Sequence, residues 1–467
     1  MAKTKKATTI AELKESGYKP VSLREEMRHN LIRMIREKTN IFPGIIGFDD
    51  TVIPQIYNAI ISGQDIIFLG ERGQAKSRIM RALINLLDEE VPVIKGCEIN
   101  DDPLAPICAD CLHKISEKGD ETEISWLPRS ERYGEKLATP DISIADLIGD
   151  VDPIKVAEGR YLSDALTMHY GLIPRANRGV FCINELPDLT EKLQVGLFNL
   201  MEERDIQIRG YRIRLPLDIF LVASANPEDY TNRGRIITPL KDRYGAQIKT
   251  HYPVDVDEEI SIVEAERHHF EDEEIGYFVP QFMKEIIVGI THLARRSPDI
   301  NQRSGVSVRT SIANYETIIS NAIRRAVMLD EKLAVPRISD LQYIHASTNG
   351  KIELETFEET KEDKVIDTLI KKAVQMTFSN YYDITDLEEV ISQFSEGFSV
   401  SVSDSLSAKS YVSSVKEMIG MTDLIKMVAD SEQPEVIASA VEFILEGLHL
   451  NKRLNKSRAE GKTIYRQ

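Results

Sequence analysis

Short apolar runs alternate with stretches of helical spacing through the first half of the chain. The runs lie at 65–69, 91–95, 180–183 and 218–224, and the segments between them carry apolar residues three and four apart, as in Ser77 to Leu87. Short continuous apolar runs read as strands covered on both faces. Their alternation with helices predicts an α/β core over 43–250, a parallel sheet flanked by helices. Residues 1–42 are charged and helical in pattern, with Leu31, Ile32, Met34 and Ile35 as the apolar face. After the core the pattern changes. Amphipathic helical spacing recurs at 257–267, 280–295, 307–329 and 338–348 with no convincing strand, which predicts a helical lid over 256–350. The charged run Glu353 to Lys364 reads as a linker or solvated helix. A further, mainly helical domain is expected over 364–467, interrupted by a serine-rich stretch at 399–414 and ending in a basic tail, from Leu450, read as an exposed helix.

Composition narrows the classes. A chain of 467 residues has room for two to four domains, and 58 basic against 75 acidic side chains give a net charge of −17. That disfavours bulk binding to nucleic acid or to an anionic membrane. No apolar run approaches the ~18 residues of a membrane span, and the basic N-terminus lacks the apolar stretch of a secretion signal. Four cysteines in so long a chain make a disulfide framework improbable. The expectation is a soluble, cytoplasmic protein.

The chemistry starts at the end of the first run. Residues 70–77 read Gly70, Glu71, Arg72, Gly73, Gln74, Ala75, Lys76 and Ser77, between a predicted strand and a predicted helix. This is the setting of a phosphate-binding loop, whose backbone N–H groups and helix N-terminus face the phosphates. Lys76 would reach the β- and γ-phosphates and Ser77 would ligate Mg²⁺. Ala75 stands where the usual pattern has a second glycine, and its methyl restricts the turn.

Further along, the run ending at Ile183 leads into Asn184 and Glu185, and the run ending at Ala225 leads into Asn226. A glutamate at such a strand end can polarise the water that attacks the γ-phosphate. Asn184 can join the Mg²⁺ shell through a metal-bound water but brings no charge. Asn226 can lie between the other two strand ends and orient the water. Arg243 follows a predicted helix, and Arg309 opens one in the lid. An arginine can stabilise transition-state charge from a neighbouring subunit, or report the γ-phosphate to the lid.

The order Lys76-Ser77, Asn184-Glu185, Asn226, Arg243 and Arg309 resembles the AAA+ ATPases. Two features narrow the resemblance to the MoxR and magnesium-chelatase subunit I branch. One is the segment between Gly149 and Gly179, similar to that branch's helix-2 insert; the other is the hairpin-like stretch at about 204–214, similar to its pre-sensor hairpin. The resemblance covers about residues 40–350. It implies an αβα core, a helical lid and a homo-oligomeric ring, most often a hexamer, with ATP and Mg²⁺ between subunits. Carried over by motif, Lys76 and Ser77 belong to Walker A, Asn184 and Glu185 to Walker B, Asn226 to sensor 1, Arg243 to the arginine finger and Arg309 to sensor 2. It further implies remodelling of a partner with a von Willebrand A domain. Ala75 and Asn184 depart from the pattern and keep open a ring scaffold that binds ATP with little turnover. A magnesium-chelatase subunit of chlorophyll synthesis is the other alternative.

Cys97, Cys108 and Cys111, with His113 two residues on, form a candidate tetrahedral zinc set in a loop at about 97–113. The competing reading is free or redox-active thiols. Cys182, inside an apolar run, reads as core. Arg204, Arg209, Arg212 and Arg214 give the hairpin a basic face, a pore element or an ordinary solvated one.

Overall fold

The computed structural model describes residues 6–151, 168–202, 205–207, 214–226, 235–270, 274–302, 304–355, 359–429, 431–459 and 461–467. The chain packs as two compact units, Met1–His251 and Tyr252–Gln467. Among the described residues no helix is long and apolar enough to cross a membrane.

The first unit is built on five parallel strands: β1 (Ile66–Leu69), β2 (Tyr133–Leu137), β3 (Gly179–Asn184), β4 (Ile219–Ala225) and β5 (Ala246–Lys249). They pair in the order β5-β1-β4-β3-β2. Successive side chains point to opposite faces, and the core divides accordingly. Ile67, Leu69, Phe181, Ile183, Leu221 and Ala223 pack on one side. Ile66, Phe68, Val180, Cys182, Phe220 and Val222 pack on the other. Both faces are covered, as an all-parallel sheet requires. The helix Leu23–Glu37 belongs to the second face through Leu23, Met27 and Leu31. Arg132 fastens it there: its guanidinium donates to both oxygens of Glu26 at 2.6 Å, and both residues are buried.

One predicted strand sits elsewhere. The run at 91–95 forms Glu90–Ile94, which pairs antiparallel with Ile124–Pro128 in its own two-stranded sheet. The strand beside β3 is Tyr133–Leu137 instead. The flanks of the insert are the antiparallel pair Gly149–Val151 and Met168–Tyr170; residues 152–167 lie outside the described residues. The stretch at 204–214 has Asp205–Gln207 paired with Arg214–Pro216; Arg204, Arg209 and Arg212 fall outside the described residues.

The second unit is helical around one core that takes in the 256–350 and 364–467 segments alike, from Ile260 through Phe282 and Ile318 to Phe378, Phe443 and Tyr465. The lid segment carries one short parallel pairing, Gly276–Tyr277 with Leu333–Ala334, where no strand was expected. The charged run leads into the helix Glu359–Tyr381. The basic tail is not a helix. After the helix Pro434–Leu450 the chain turns into the hairpin Asn455–Ala459 and Lys462–Arg466, to which Val400–Val402 adds a third strand. Alternation explains the hairpin: Tyr465 is buried while its neighbours Ile464 and Arg466 are not.

Candidate nucleotide site

Three strand ends meet where the candidate residues lie. β4 runs between β1 and β3, so the loop after Leu69, the pair Asn184-Glu185 and Asn226 all stand at the carboxyl edge of neighbouring strands. That edge is the usual ligand crevice of an open α/β sheet.

The loop after β1 is held by its own side chains. Gln74 is buried, and its Oε1 accepts from Glu71 N at 3.1 Å and Thr250 Oγ1 at 2.7 Å. Gly70 allows this closeness, since a Cβ there would stand 2.0 Å from Thr250 Oγ1 and 2.2 Å from Gln74 Oε1. Gly73 (φ 77°) turns left-handed, and so does Ala75, at φ 53° and ψ 12°. The chain therefore adopts the turn a glycine would favour, with a methyl in place. Strain of that kind costs about 1–2 kcal/mol. The helix Lys76–Ala82 starts at the next residue. Lys76 is buried, and its Nζ donates to the carbonyls of Gly70 and of Glu71, the latter at 2.7 Å. Arg72 is exposed.

Ser77 and Asn184 are brought together: Ser77 Oγ donates to Asn184 Oδ1 at 3.3 Å. Ser224, near the end of β4, donates to the same oxygen at 3.1 Å. Its hydroxyl also accepts from Glu185 N at 3.1 Å. Glu185 takes a left-handed backbone, φ 56° and ψ 49°, a strained conformation for a side-chain-bearing residue of the kind that gathers at active sites. Asn226 is buried.

Sequence reasoning missed Glu135. It lies on β2, and its carboxylate accepts from Asn184 Nδ2, from Arg81 through two bonds of 2.8 and 3.0 Å, and from Tyr133 at 3.1 Å. Arg81, on the helix that follows the phosphate loop, is the main cause holding the Glu135 carboxyl below its ordinary range. The strand sequence Tyr-Gly-Glu-Lys-Leu has no apolar run to announce it. Ser224 and Thr250 were missed for a similar reason, since small hydroxyls at strand ends are common.

Arg243 is the last residue of the helix Thr238–Arg243. Its guanidinium donates to Glu202 and to the carbonyl of Pro239, and lies 4.8 Å from the centre of the Phe198 ring. Arg309 lies in the second unit, exposed in the first turn of the helix Val308–Leu329.

The cysteines converge, and His113 does not join them. The sulfurs of Cys97, Cys108 and Cys111 and a carboxylate oxygen of Asp101 all lie within 4.8 Å of one another. Cys108 caps the helix Ala109–Lys118, with its Sγ accepting from Cys111 N at 3.3 Å. His113 is two residues beyond Cys111, about 200° around the helix. It faces solvent with a side chain 61% exposed and lies 3.5 Å from Glu117. Cys182 is core, fully buried on β3.

Comparison with known proteins places the chain in context. A model of the sigma-54 interaction domain matches residues 156–240. A magnesium-chelatase subunit ChlI homolog of Methanocaldococcus jannaschii is 28% identical over 251 residues, 52% of this chain and 64% of that protein. The magnesium-chelatase 38 kDa subunit of Acidiphilium rubrum is 28% identical over 223 residues, 45% of this chain and 58% of that protein. The chain thus spans less than two thirds of the length of these relatives. Among solved structures, a cryo-EM-based complex of subunits BchI and BchD of magnesium chelatase aligns with a TM-score of 0.37 and 20% identity, covering 70% of this chain and 98% of that one.

Proposed function

We propose that this chain, which belongs to the AAA+ ATPases of the magnesium-chelatase branch, binds Mg²⁺-ATP at the carboxyl edge of its parallel sheet and hydrolyses it to drive remodelling of a partner protein. The observation that carries this reading is the Ser77–Asn184 hydrogen bond, which joins the phosphate loop to the end of β3 beside Glu185. In this reading the loop amides and Lys76 hold the phosphates. Glu185 orients the attacking water and Asn226 stands beside it. The Ser77 hydroxyl, the Asn184 amide oxygen and the Glu135 carboxylate are hard oxygen donors suited to Mg²⁺. When bound, that ion neutralises charge on the β- and γ-phosphates. Glu135 supplies the negative charge that Asn184 lacks, and its ion pair with Arg81 keeps it ionised and in place.

Arg243 serves a neighbouring subunit, which makes a homo-oligomeric ring, a hexamer by resemblance, the working form. By the same resemblance, Arg309 is assigned the role of sensor 2. The partner is a von Willebrand A domain protein, again by resemblance to the MoxR and chelatase branch, and the setting is cytoplasmic. A basic hairpin alone is a weak reason for nucleic acid against a net charge of −17.

Ala75 and Asn184 favour one rival, a ring scaffold with little turnover; the chelatase relatives favour the other, a subunit of porphyrin metallation. Steady-state phosphate release with Mg²⁺-ATP, beside a Glu185→Gln variant, separates the first. Turnover that disappears in the variant supports the motor. ATP binding without turnover in either protein supports the scaffold. Copurification with a porphyrin-binding subunit would point to the chelatase.

A further inference from the structure

We propose that Cys97, Cys108, Cys111 and Asp101 hold one zinc ion that pins the loop at 95–111 to the sheet. Four donor atoms within 4.8 Å of one another are close to the arrangement a tetrahedral ion needs. With Zn–S bonds of about 2.3 Å, ligand sulfurs stand about 3.8 Å apart, so small side-chain rotations suffice. Three of the four donors are soft thiolates, and with one carboxylate beside them the set suits zinc better than the hard ions of the nucleotide site.

The local backbone is shaped for it. Gly96 (φ 73°) and Asn100 (φ 57°) turn left-handed on either side of Cys97. Cys97 and Asp101 are thereby returned toward the N-terminus of the helix Ala109–Lys118. Backbone N–H groups point at two of the sulfurs: Asp101 N donates to Cys97 Sγ, and Cys111 N to Cys108 Sγ, both at 3.3 Å. Such donors stabilise thiolates.

Asp101 supplies a second, independent observation. It is 1% exposed. Its Oδ2 accepts from Ile107 N at 3.1 Å and Cys108 N at 2.9 Å. Its Oδ1 is buried with no hydrogen-bond partner. A carboxylate oxygen left so is costly inside a protein, and a cation among the sulfurs satisfies it. The same residues tie to the sheet through the core: Cys108 and Cys111 pack with Ile94, Ile99, Ile173 and Phe181.

The test is metal analysis of the full chain purified without added metal or chelator. The expected result is one zinc per chain that survives dialysis. Asp101→Asn and Cys108→Ser should each lower the zinc content several-fold, while His113→Ala should leave it at one. Where a buried substitution prevents folding, Co²⁺ exchanged into the unmodified chain gives the second readout, an intense thiolate-to-cobalt charge-transfer band. A chain that carries no zinc and gives no such band with Co²⁺ would overturn the site. So would zinc lost in His113→Ala but retained in Asp101→Asn, or a Cys108–Cys111 disulfide in the chain isolated under reducing conditions.

Discussion

The side-chain amide of Asn184 donates to the carboxylate of Glu135 on the adjacent strand. Leu137, two residues beyond Glu135, pairs with Asn184 across the β2–β3 ladder, so both residues lie at the same end of the sheet. The acid that the end of β3 lacks is thus found one strand over.

A charge swap tests that assignment. Glu135→Gln should raise the Mg²⁺ concentration needed for half-maximal nucleotide binding by about 10- to 100-fold, the usual effect of losing a group that supports a metal site. Asn184→Asp alone should help little, because it sets two carboxylates against each other and disfavours ionisation of both. The double change, Asn184→Asp with Glu135→Gln, should restore the Mg²⁺ dependence. A titration of fluorescent nucleotide at graded Mg²⁺ reads all three. Equal Mg²⁺ dependence in Glu135→Gln and the unmodified chain would remove Glu135 from the site.

The left-handed Ala75 makes an opposite kind of prediction. Ala75→Gly relieves a conformation costing about 1–2 kcal/mol but frees the unfolded chain by about 0.4–1 kcal/mol, so thermal stability should rise by between about 0 and 1.6 kcal/mol. ATP affinity should rise more clearly, since the methyl leaves a turn that backbone amides must share with phosphates. Isothermal titration with ATP checks it; an unchanged or weaker affinity would show that the methyl does not crowd the nucleotide.

How much of this was readable from sequence follows the physics of each element. β1, β3 and β4 are buried on both faces, so they appear as continuous apolar runs and their tips could be located. β2 and β5 are the edge strands of the order β5-β1-β4-β3-β2 and read Tyr-Gly-Glu-Lys-Leu and Ala-Gln-Ile-Lys, too polar to stand out. Glu135 was hidden with its strand. The run at 91–95 looked equally strand-like, but apolar spacing does not say which sheet a strand joins. His113 looked like a ligand because it is near Cys111 in sequence; helix rotation carries it away, and the backbone reversal at Asn100 brings Asp101 in instead.

Arg243 separates binding from chemistry. If it acts on a neighbour's γ-phosphate, Arg243→Ala should leave ATP affinity within about twofold and lower turnover by about 10³–10⁵-fold, the range for supplied arginines. Mixing it with Glu185→Gln protein provides the decisive readout. Each variant lacks a different half of a site shared between subunits, so mixed rings should regain part of the activity. Absence of recovery despite mixed assembly would argue that Arg243 does not act across a subunit interface.

Glu259 gives the second unit a pH-dependent anchor. Its carboxylate is fully buried and accepts from Arg295 at 2.6 Å, Ser311 at 2.6 Å and His292 at 3.0 Å. Burial alone would push its carboxyl up, but the bonds from His292, Arg295 and Ser311 outweigh it and hold the group below its ordinary value of 4.5. A depressed folded value means the stabilisation is complete above the unfolded value and is lost as pH falls through the folded one. Glu259→Gln should therefore cost about 3–5 kcal/mol at neutral pH, the usual effect of breaking a buried pair. The gap between variant and unmodified chain should narrow below about pH 4. Hydrogen exchange in the helix Val308–Leu329, which carries Ser311, follows this unit without requiring the whole chain to unfold in one step. A gap that stays constant from pH 7 to pH 3 would mean that the ionised form of Glu259 is not what holds these helices together.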